Sequence, residues 1–409
     1  MSEINSGDTA WILISAALVM VMTPALGFFY GGLVREKNVL GTIMHSFFIL
    51  CLISVQWVMW GYSLAFGPDH WHLIGGLDWV GLEGVGLEPN PNYGKTVPHQ
   101  AFMVFQMMFA VITPALITGA FAERKRFKAF VIFSLAWATL VYDPITHWVW
   151  GHDGWLANLG LLDFAGGTVV EINSGISALV AALVLGHRSG WGHEDMDPHN
   201  ATMTVLGAAL LWFGWFGFNA GSALSVGGLA TAAFVATNTA GAMAGLTWMT
   251  VSWGHTGHPS VVGLTVGAVA GMVAITPAAG YVTPLAAILI GAGAGIFCYA
   301  AVQLRNKLRV DDTLDVWAVH GIGGIWGTLA TGIFATVAVN SQAANGLLYG
   351  NPGQLWIQCV AIAATCAYSG GMTYAILKII NLFVALRLPE REEALGLDIS
   401  QHGEVAYKA

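Results

Sequence analysis

Long apolar runs without charge recur from one end of the 409-residue chain to the other. A run of about 20 such residues is long enough to cross the hydrocarbon core of a bilayer as a helix. The runs do not alternate between apolar and polar residues, as the strands of a membrane β-barrel do. Only 9% of the residues are charged, whereas a soluble domain has about 25%. The pattern predicts an all-α polytopic membrane protein and excludes a soluble enzyme.

The apolar runs predict eleven transmembrane helices. The predicted spans are 9–33, 39–66, 99–122, 127–149, 165–186, 201–220, 229–253, 261–277, 284–303, 313–337 and 354–386. Lysine and arginine concentrate in the connections after odd-numbered spans, as at 124–128 and 305–309. Because basic loops stay on the cytoplasmic side, we expect the N-terminus outside and the C-terminus in the cytoplasm. We divide the chain into a transmembrane domain, 1–386, and a cytoplasmic C-terminal tail, 387–409.

Spans 1–5 and spans 6–10 form two halves of equal size. A structural repeat with an odd number of spans has to be inverted across the membrane. We therefore expect an inverted 5+5 helix repeat followed by an eleventh helix.

The last span of each half carries a buried ionisable side chain, Glu171 in span 5 and His320 in span 10. Such residues are uncommon inside spans and usually mark function. Each lies about eight residues into its span, roughly 12 Å deep from opposite faces of a ~30 Å core. If spans 5 and 10 are neighbours, the two side chains meet near the midplane. The alternative is that Glu171 lies at a loop edge and pairs with a structural partner.

Two aspartates precede these ionisable residues. Asp163 stands where a helix begins and is expected to be its N-cap. Asp315 is expected to organise the start of span 10 in a similar way. Both are predicted to be structural supports.

Several segments resemble the ammonium transporter (Amt/Mep/Rh) family, and specifically its microbial Amt/Mep branch. They include GFFYGGLVREKNVL at 27–40, FQMMFAVITPALITGAFAER at 105–124, DFAGGTVVEINSG at 163–175, DDTLDVWAVHGIGGIWG at 311–327 and GLDISQHGEVAY at 396–407. The resemblance covers nearly the whole chain. It implies a homotrimer with one pore in each subunit and ammonium as substrate, with methylammonium as an analogue.

The resemblance also implies an outer site that recruits ammonium, formed by Phe105, Phe109, Trp150 and Ser222. Aromatic faces attract a cation by ~0.5–2 kcal/mol, and a serine oxygen can accept an ammonium N–H. Below this site the family places two stacked phenylalanines as a gate, which match Phe109 and Phe218 here. A hydrophobic constriction of this kind blocks ions that keep their charge.

Glu171 is where the chain departs from the family pattern. Most members carry two hydrogen-bonded histidines in the pore; His320 matches the second, and Glu171 replaces the first, as in some fungal Mep permeases. A carboxyl and an imidazole can share a proton, and their titration belongs to the pair. The resemblance implies that this pair relays protons, and that Asp163 orders the pore mouth without contacting substrate.

The leading hypothesis is ammonium uptake. NH4+ loses its proton at the outer site because a bare cation in an apolar pore is costly, and NH3 passes into the cytoplasm while the proton travels separately. Two alternatives remain: an ammonium sensor that signals through the tail, disfavoured because no output domain follows, and an Rh-like neutral gas channel, against which Trp150 argues. The residues do not decide which species crosses.

The expected setting follows from the same resemblance. The protein should lie in the plasma membrane of a bacterium or archaeon, where a PII-family regulatory protein could dock on the tail and inner loops. We expect no redox cofactor, metal or nucleic acid. The four cysteines lie in apolar runs without a Cys-x-x-Cys pair, which is typical of buried small side chains.

Overall fold

A computed structural model describes residues 3–407 of the chain as a bundle of long helices. Within these residues, nine helices are long and apolar enough to cross a membrane. They are α1 Ser6–Leu33, α2 Glu36–Phe66, α3 His99–Phe121, α4 Phe127–Leu159, α5 Gly167–Leu185, α6 Ala201–Ala220, α7 Gly228–Thr256, α9 Pro284–Leu308 and α11 Pro352–Phe383. The chain is therefore a helical membrane protein.

Two further apolar helices are shorter. They are α8, Val261–Ile275, and α10, which joins the π-helical turn Trp317–Ile322 to the α-helix Gly323–Phe334. Each of the eleven predicted spans overlaps one of the helices α1–α11. Most ends differ by at most five residues, but α4 continues to Leu159, ten residues beyond the predicted end of span 4. A short helix, α12, Glu390–Leu395, lies in the C-terminal tail.

Several of these helices contain π-helical turns. These are Trp57–Gly61 in α2, Ala138–Tyr142 in α4, Gly167–Ile172 in α5, Phe216–Ala220 in α6 and Trp317–Ile322 in α10. π-helical turns are rare overall, but many of those known lie at functional sites. Such a turn inserts one residue into the helix and so rotates the side chains that follow it. Glu171, Phe218 and His320 all lie in such turns.

The two ends of the bundle differ in structure. At the N-terminal face, the backbone N–H of Asn5 donates to Thr96 O at 2.8 Å and ties the start of α1 to the connection between α2 and α3. That connection contains two antiparallel strand pairs: β1 Asp69–His70 with β2 Ile74–Gly75, and β3 Pro89–Asn90 with β4 Gly94–Pro98. In the first pair, Asp69 lies opposite Gly75.

At the C-terminal face, the tail packs across the connections between helices. The Asp398 carboxylate accepts hydrogen bonds from the backbone N–H groups of Leu40 and Gly41, at 3.0 and 2.8 Å, and so caps the start of the α-helical part of α2. The backbone N–H of Leu388 donates to Arg124 O at 3.0 Å. Residues 387–407 are thus fixed to two separate parts of this face.

Buried ion pairs join four connections at the C-terminal face. The Arg188 guanidinium contacts Asp311 at 2.9 Å and Glu123 at 3.5 Å, and Arg35 contacts Glu123 at 2.7 Å. Burial works to raise the pKa of the Asp311 carboxyl, but the Arg124 and Arg188 guanidinium groups outweigh burial and hold that pKa below its usual value. The network fixes the ends of α1, α3, α5 and α9 relative to one another.

Helices α5 and α10 cross in direct backbone contact. A Cβ added at Gly175 would lie 2.1 Å from the backbone N of Gly321, and one added at Gly324 would lie 2.8 Å from Glu171 Cβ. Only glycine allows helix axes to approach this closely. The two helices that carry Glu171 and His320 are neighbours, as the sequence analysis assumes.

Candidate functional site: two cavities and a buried polar pair

Glu171 and His320 form a buried pair. Glu171 Oε2 lies 2.6 Å from His320 Nδ1, and the two residues are 1% and 4% exposed. The glycine contact between α5 and α10 brings the side chains together, and the π turn in each helix directs them toward one another. Glu171 belongs to a helical turn that is wholly buried, so the alternative that places it at a loop edge is wrong.

The Asp163 carboxylate caps the first turn of α5. Its Oδ1 accepts hydrogen bonds from the backbone N–H groups of Gly166 and Gly167 at 2.8 and 2.7 Å. Its Oδ2 accepts from Thr168, through the backbone N–H at 2.7 Å and through the hydroxyl. Gly166 occupies the N-cap position itself, and Asp163, three residues earlier, supplies the capping carboxylate. The carboxylate satisfies donors that the start of a helix would otherwise leave unpaired.

The equivalent cap on α10 comes from Asp312 rather than from Asp315. The backbone N–H of Trp317 donates to Asp312 Oδ2 at 2.7 Å, five residues along the chain, as Thr168 does to Asp163. Asp315 adopts a left-handed φ of 59° and its carboxylate contacts Arg305 at 3.1 Å. The expectation that Asp315 organises the start of this helix as Asp163 does is wrong.

An outer cavity of about 370 Å³ opens at the N-terminal face. Trp150, Ser222, Gln106 and Asp163 are among the residues that line it. Trp150 Nε1 donates to Asp163 O at 3.0 Å, which fixes the indole. The Ser222 hydroxyl donates to Phe218 O at 2.9 Å, which leaves its own oxygen able to accept. An aromatic face and acceptor oxygens suit a small cation with N–H groups.

Phe109 and Phe218 pack against each other next to two residues that line the outer cavity, Trp150 and Ser222. Their ring centroids are 4.3 Å apart at an interplanar angle of 40°, and both residues are almost completely buried. Phe109 also meets Trp150 edge to face, with centroids 5.7 Å apart. Phe105 packs behind Phe109 at 5.0 Å and is not among the lining residues. Of the four side chains predicted for the outer site, Trp150 and Ser222 line the cavity. Phe105 and Phe109 do not line it, and Phe109 adjoins it through its contact with Trp150.

Below the phenylalanines lies a narrow void of about 10 Å³, lined by Phe218, Glu171, His320 and other side chains that are all apolar. This volume is at the lower limit for one water molecule. His320 also lines a wider inner cavity of about 280 Å³ at the C-terminal face, together with Tyr30 and Asp315. The Glu171–His320 pair therefore separates an almost closed apolar segment from an inner vestibule.

Gln106 is a lining residue that the sequence analysis missed. It is 8% exposed, and its Oε1 has no hydrogen-bond partner among residues 3–407. A lone amide in the apolar stretch FQMMFAV, next to Phe105, is the signal that could have identified it. Asn92, Tyr281 and Asn340 also line the cavity. They come from separate connections, and nothing local in the chain relates them.

The described part of the chain offers no group of three or more His, Cys, Asp or Glu side chains placed to hold a metal ion. The polar groups beside the cavities are instead a helix-capping aspartate, single acceptor oxygens and one acid–imidazole pair. Together with the phenylalanine pair and the cavities on either side, they define a helical membrane protein whose buried polar pair lies between two cavities.

Comparisons with known proteins identify the family. The model of the Ammonium Transporter Family matches residues 10–407. The ammonium transporter of Bacillus subtilis is 53% identical over 98% of both chains, and ammonium transporter Amt1 of Archaeoglobus fulgidus is 49% identical over 98% of this chain and all of that one. The crystal structure of Candida albicans Mep2 matches with a TM-score of 0.91 and 40% identity, over 99% of this chain and 91% of that chain. The chain belongs to the ammonium transporter family.

Proposed function

We propose that this protein conducts ammonium nitrogen through its own pore, as NH3 that separates from its proton at the outer site. The observation that carries the proposal is the Glu171–His320 pair, 2.6 Å apart and directly behind the Phe109–Phe218 constriction. A polar pair that can exchange a proton has a clear use in such a pore only if the cargo arrives with a proton to give up.

Capture takes place in the outer cavity. Trp150 presents its ring to the cavity and stays oriented by the hydrogen bond to Asp163 O, so NH4+ gains ~0.5–2 kcal/mol from the aromatic face. Ser222 Oγ and the unpartnered Gln106 Oε1 accept ammonium N–H groups in place of water. Phe105 acts indirectly, by supporting Phe109.

Deprotonation follows from the closed constriction. The rings of Phe109 and Phe218 leave no hydrated path, and a cation inside a membrane without water or a counter-charge is expensive. NH3 is neutral and small, so it crosses when the rings move aside. K+ has no proton to give up, and the same barrier excludes it.

Water in the outer cavity accepts the proton when the N–H bond of NH4+ breaks. When the rings of Phe109 and Phe218 move aside, the proton then reaches Glu171 and His320 through pore water. These two groups are the ionisable side chains that line the narrow void, and His320 also reaches the inner cavity. A proton delivered to the pair on one side can leave on the other. Transport is then electrogenic, with NH3 and H+ crossing in parallel.

The proposed architecture is eleven transmembrane helices, in an inverted 5+5 repeat followed by the eleventh. The spacing of the caps supports the repeat, since Glu171 and His320 each lie eight residues after a capping aspartate, Asp163 and Asp312. We place the N-terminus outside and the C-terminus in the cytoplasm, with the transmembrane domain at 1–386 and the tail at 387–409.

We further propose that three copies assemble, each with its own pore, in the plasma membrane of a bacterium or archaeon. Relatives in Bacillus subtilis and Archaeoglobus fulgidus support this setting. A PII-family regulator would meet the C-terminal face, where the tail residues 387–407 lie against the connections between helices.

The test is current measurement on proteoliposomes that contain the purified protein. Ammonium and methylammonium gradients should drive a current, and an equal potassium gradient should drive none. His320→Ala should lose the current, whereas His258→Ala, an exposed histidine between α7 and α8, should keep it. Ammonia flux without current would favour a neutral gas channel, and substrate binding without any flux would favour a sensor. Either result overturns the proposal.

A further inference from the structure

Asp143, in helix α4, is a buried acid that has no part in the proposed pore. It is 0% exposed and lines none of the three cavities along the pore. It lies 16 residues after Phe127, the first residue of α4, or about 24 Å along the helix at ~1.5 Å per residue. That distance falls inside a hydrocarbon core of about 30 Å, where a bare carboxylate is costly.

The partner of Asp143 is an amide. Gln56 Nε2, on α2, donates to Asp143 Oδ2 at 2.9 Å. No Lys, Arg or His among residues 3–407 forms an ion pair with this carboxyl, and its hydrogen-bond donor, the Gln56 amide, is neutral. A buried ionised carboxylate without a cation would lack the compensation that such charges need.

The remaining oxygen of each group is unpartnered. Asp143 Oδ1 and Gln56 Oε1 are both buried, and in the described chain neither has a hydrogen-bond partner. Both are acceptors when Asp143 is ionised, so neither can satisfy the other. One proton on Asp143 Oδ1 satisfies both, because the O–H can then donate to Gln56 Oε1 while Gln56 Nε2 donates to Asp143 Oδ2. Such a ring of two hydrogen bonds is the usual pairing of a carboxylic acid with an amide.

The surrounding backbone is shaped around this pair. Gln56 immediately precedes the π turn Trp57–Gly61, and Asp143 immediately follows the π turn Ala138–Tyr142. A Cβ added at Gly61 would lie 2.6 Å from Gln56 Oε1, so the glycine leaves the space that the amide occupies. Two π turns on facing helices therefore meet at one buried polar contact.

We propose that Asp143 is a neutral carboxylic acid that shares its proton with the Gln56 amide, and that this pair fixes the orientation of the α4 segment ending at Trp150. Trp150 lies seven residues, or about two turns, after Asp143 on the same helix. Asp143 is thus a positioning residue. The positioning claim rests on the proposed capture of ammonium at Trp150, whereas the protonation claim is independent of it.

Infrared spectroscopy tests the protonation claim on the purified wild-type protein. At neutral pH the C=O stretch of protonated carboxyl groups should include one band that disappears in Asp143→Asn. Labelling aspartate with 13C should shift this band, which separates it from any band of Glu171. Asp8→Asn is the matched control, because both Asp8 oxygens accept hydrogen bonds, from Thr96 at 2.6 Å and Val226 N at 2.8 Å. That variant should keep the band. An unchanged carboxylic-acid region in Asp143→Asn would mean that Asp143 is ionised, and the proposal would fail.

Transport kinetics test the positioning claim. Asn can reproduce both hydrogen bonds of a neutral acid, so Asp143→Asn should transport within about twofold of wild type. Asp143→Leu leaves the Gln56 amide unpaired and should raise the half-saturating ammonium concentration roughly tenfold. A wild-type value in Asp143→Leu, or equal damage in both variants, would refute the claim. If the wild type itself carries no ammonium, the proposed function fails while the infrared result still stands.

Discussion

Replacing Gly175 by alanine should separate the Glu171–His320 pair without touching either side chain. The added Cβ would lie 2.1 Å from Gly321 N, whereas ordinary contacts of a Cβ begin at 3.4 Å. Helices α5 and α10 must therefore move apart by about 1.3 Å, the difference between these distances. If the whole displacement reached the pair, the 2.6 Å contact would lengthen to about 3.9 Å, which is beyond hydrogen-bonding distance.

The loss of stability in Gly175→Ala should be moderate. Overpacking a close contact costs about 1–3 kcal/mol, and alanine recovers roughly 0.5–1 kcal/mol of helix propensity relative to glycine. The protein should therefore still assemble, with a slightly lower thermal midpoint. The ammonium-driven current in proteoliposomes should fall by tenfold or more, because general acid–base transfer typically contributes about 10²–10⁴-fold and requires contact.

Gly371→Ala is the matched control. Gly371 lies in α11, and a Cβ there would meet nothing within 4 Å. This variant should keep the wild-type current and gain a little stability. If Gly175→Ala also conducted like the wild type, the close crossing of α5 and α10 would not be what holds the proton pair, and the reasoning would be refuted.

Three further outcomes are expected. In ammonium transport assays, Trp150→Leu should raise the half-saturating ammonium concentration about fivefold or more, because ~1–2 kcal/mol of cation–π attraction is lost. Ser222→Ala should raise this concentration less. Equal increases in the two variants would contradict this order. Asp163→Ala should lower the free energy of unfolding by about 2–5 kcal/mol, because it leaves three buried N–H groups unpaired, while Asp163→Asn should cost less in the same thermal assay. The pKa of Asp311 is held below its usual value, so its ion pairs stabilise the protein above the unfolded-state pKa of about 3.9, and this stabilisation is lost as the pH falls through the folded-state pKa. Asp311→Asn should therefore lower the thermal midpoint at neutral pH and flatten its acid decline; an unchanged decline would show that other groups cause it.

The meeting of Glu171 and His320 was predictable because the rise of a helix is fixed. Eight residues from each membrane face bring two side chains to similar depths, whatever the rest of the fold. The close crossing of helices α5 and α10 was harder to predict from the sequence. Many glycines of this chain stand at four-residue spacing, and only the packing of α5 on α10 distinguishes Gly175 and Gly321 from the others.

The π turns were not predictable from the residues. Glu171, Phe218 and His320 each lie in one, yet their segments have the composition of ordinary apolar helices. A π turn is stabilised by tertiary contacts that compensate for its backbone geometry. The same applies to the pair between Gln56 and Asp143, which are 87 residues apart.

The error at the start of α10 has a local cause. The segment DDTLD supplies three carboxylates at 311, 312 and 315. Composition does not say which of the three accepts a hydrogen bond from the first turn of α10. The path of the connection decides this. Asp311 points to Arg188, Asp312 caps α10, and the left-handed backbone at Asp315 directs its side chain to Arg305.

Phe105 illustrates a similar limit. Phe105 and Phe109 are four residues apart and lie on one face of α3, so periodicity assigns both to the same surroundings. In the fold, Phe109 reaches the constriction and Phe105 packs behind it. Which of two equivalent rings packs against Phe218 depends on the neighbouring helix.

The most direct test of the account is the ammonium-driven current of Glu171→Gln across a range of pH, compared with wild type. Glutamine keeps the size and a hydrogen bond to His320 but cannot take up a proton. We predict a current at least about tenfold smaller, with the wild-type dependence on pH abolished. A variant that matches the wild-type current at every pH would contradict the claim that the carboxyl at 171 and the imidazole at 320 carry the proton.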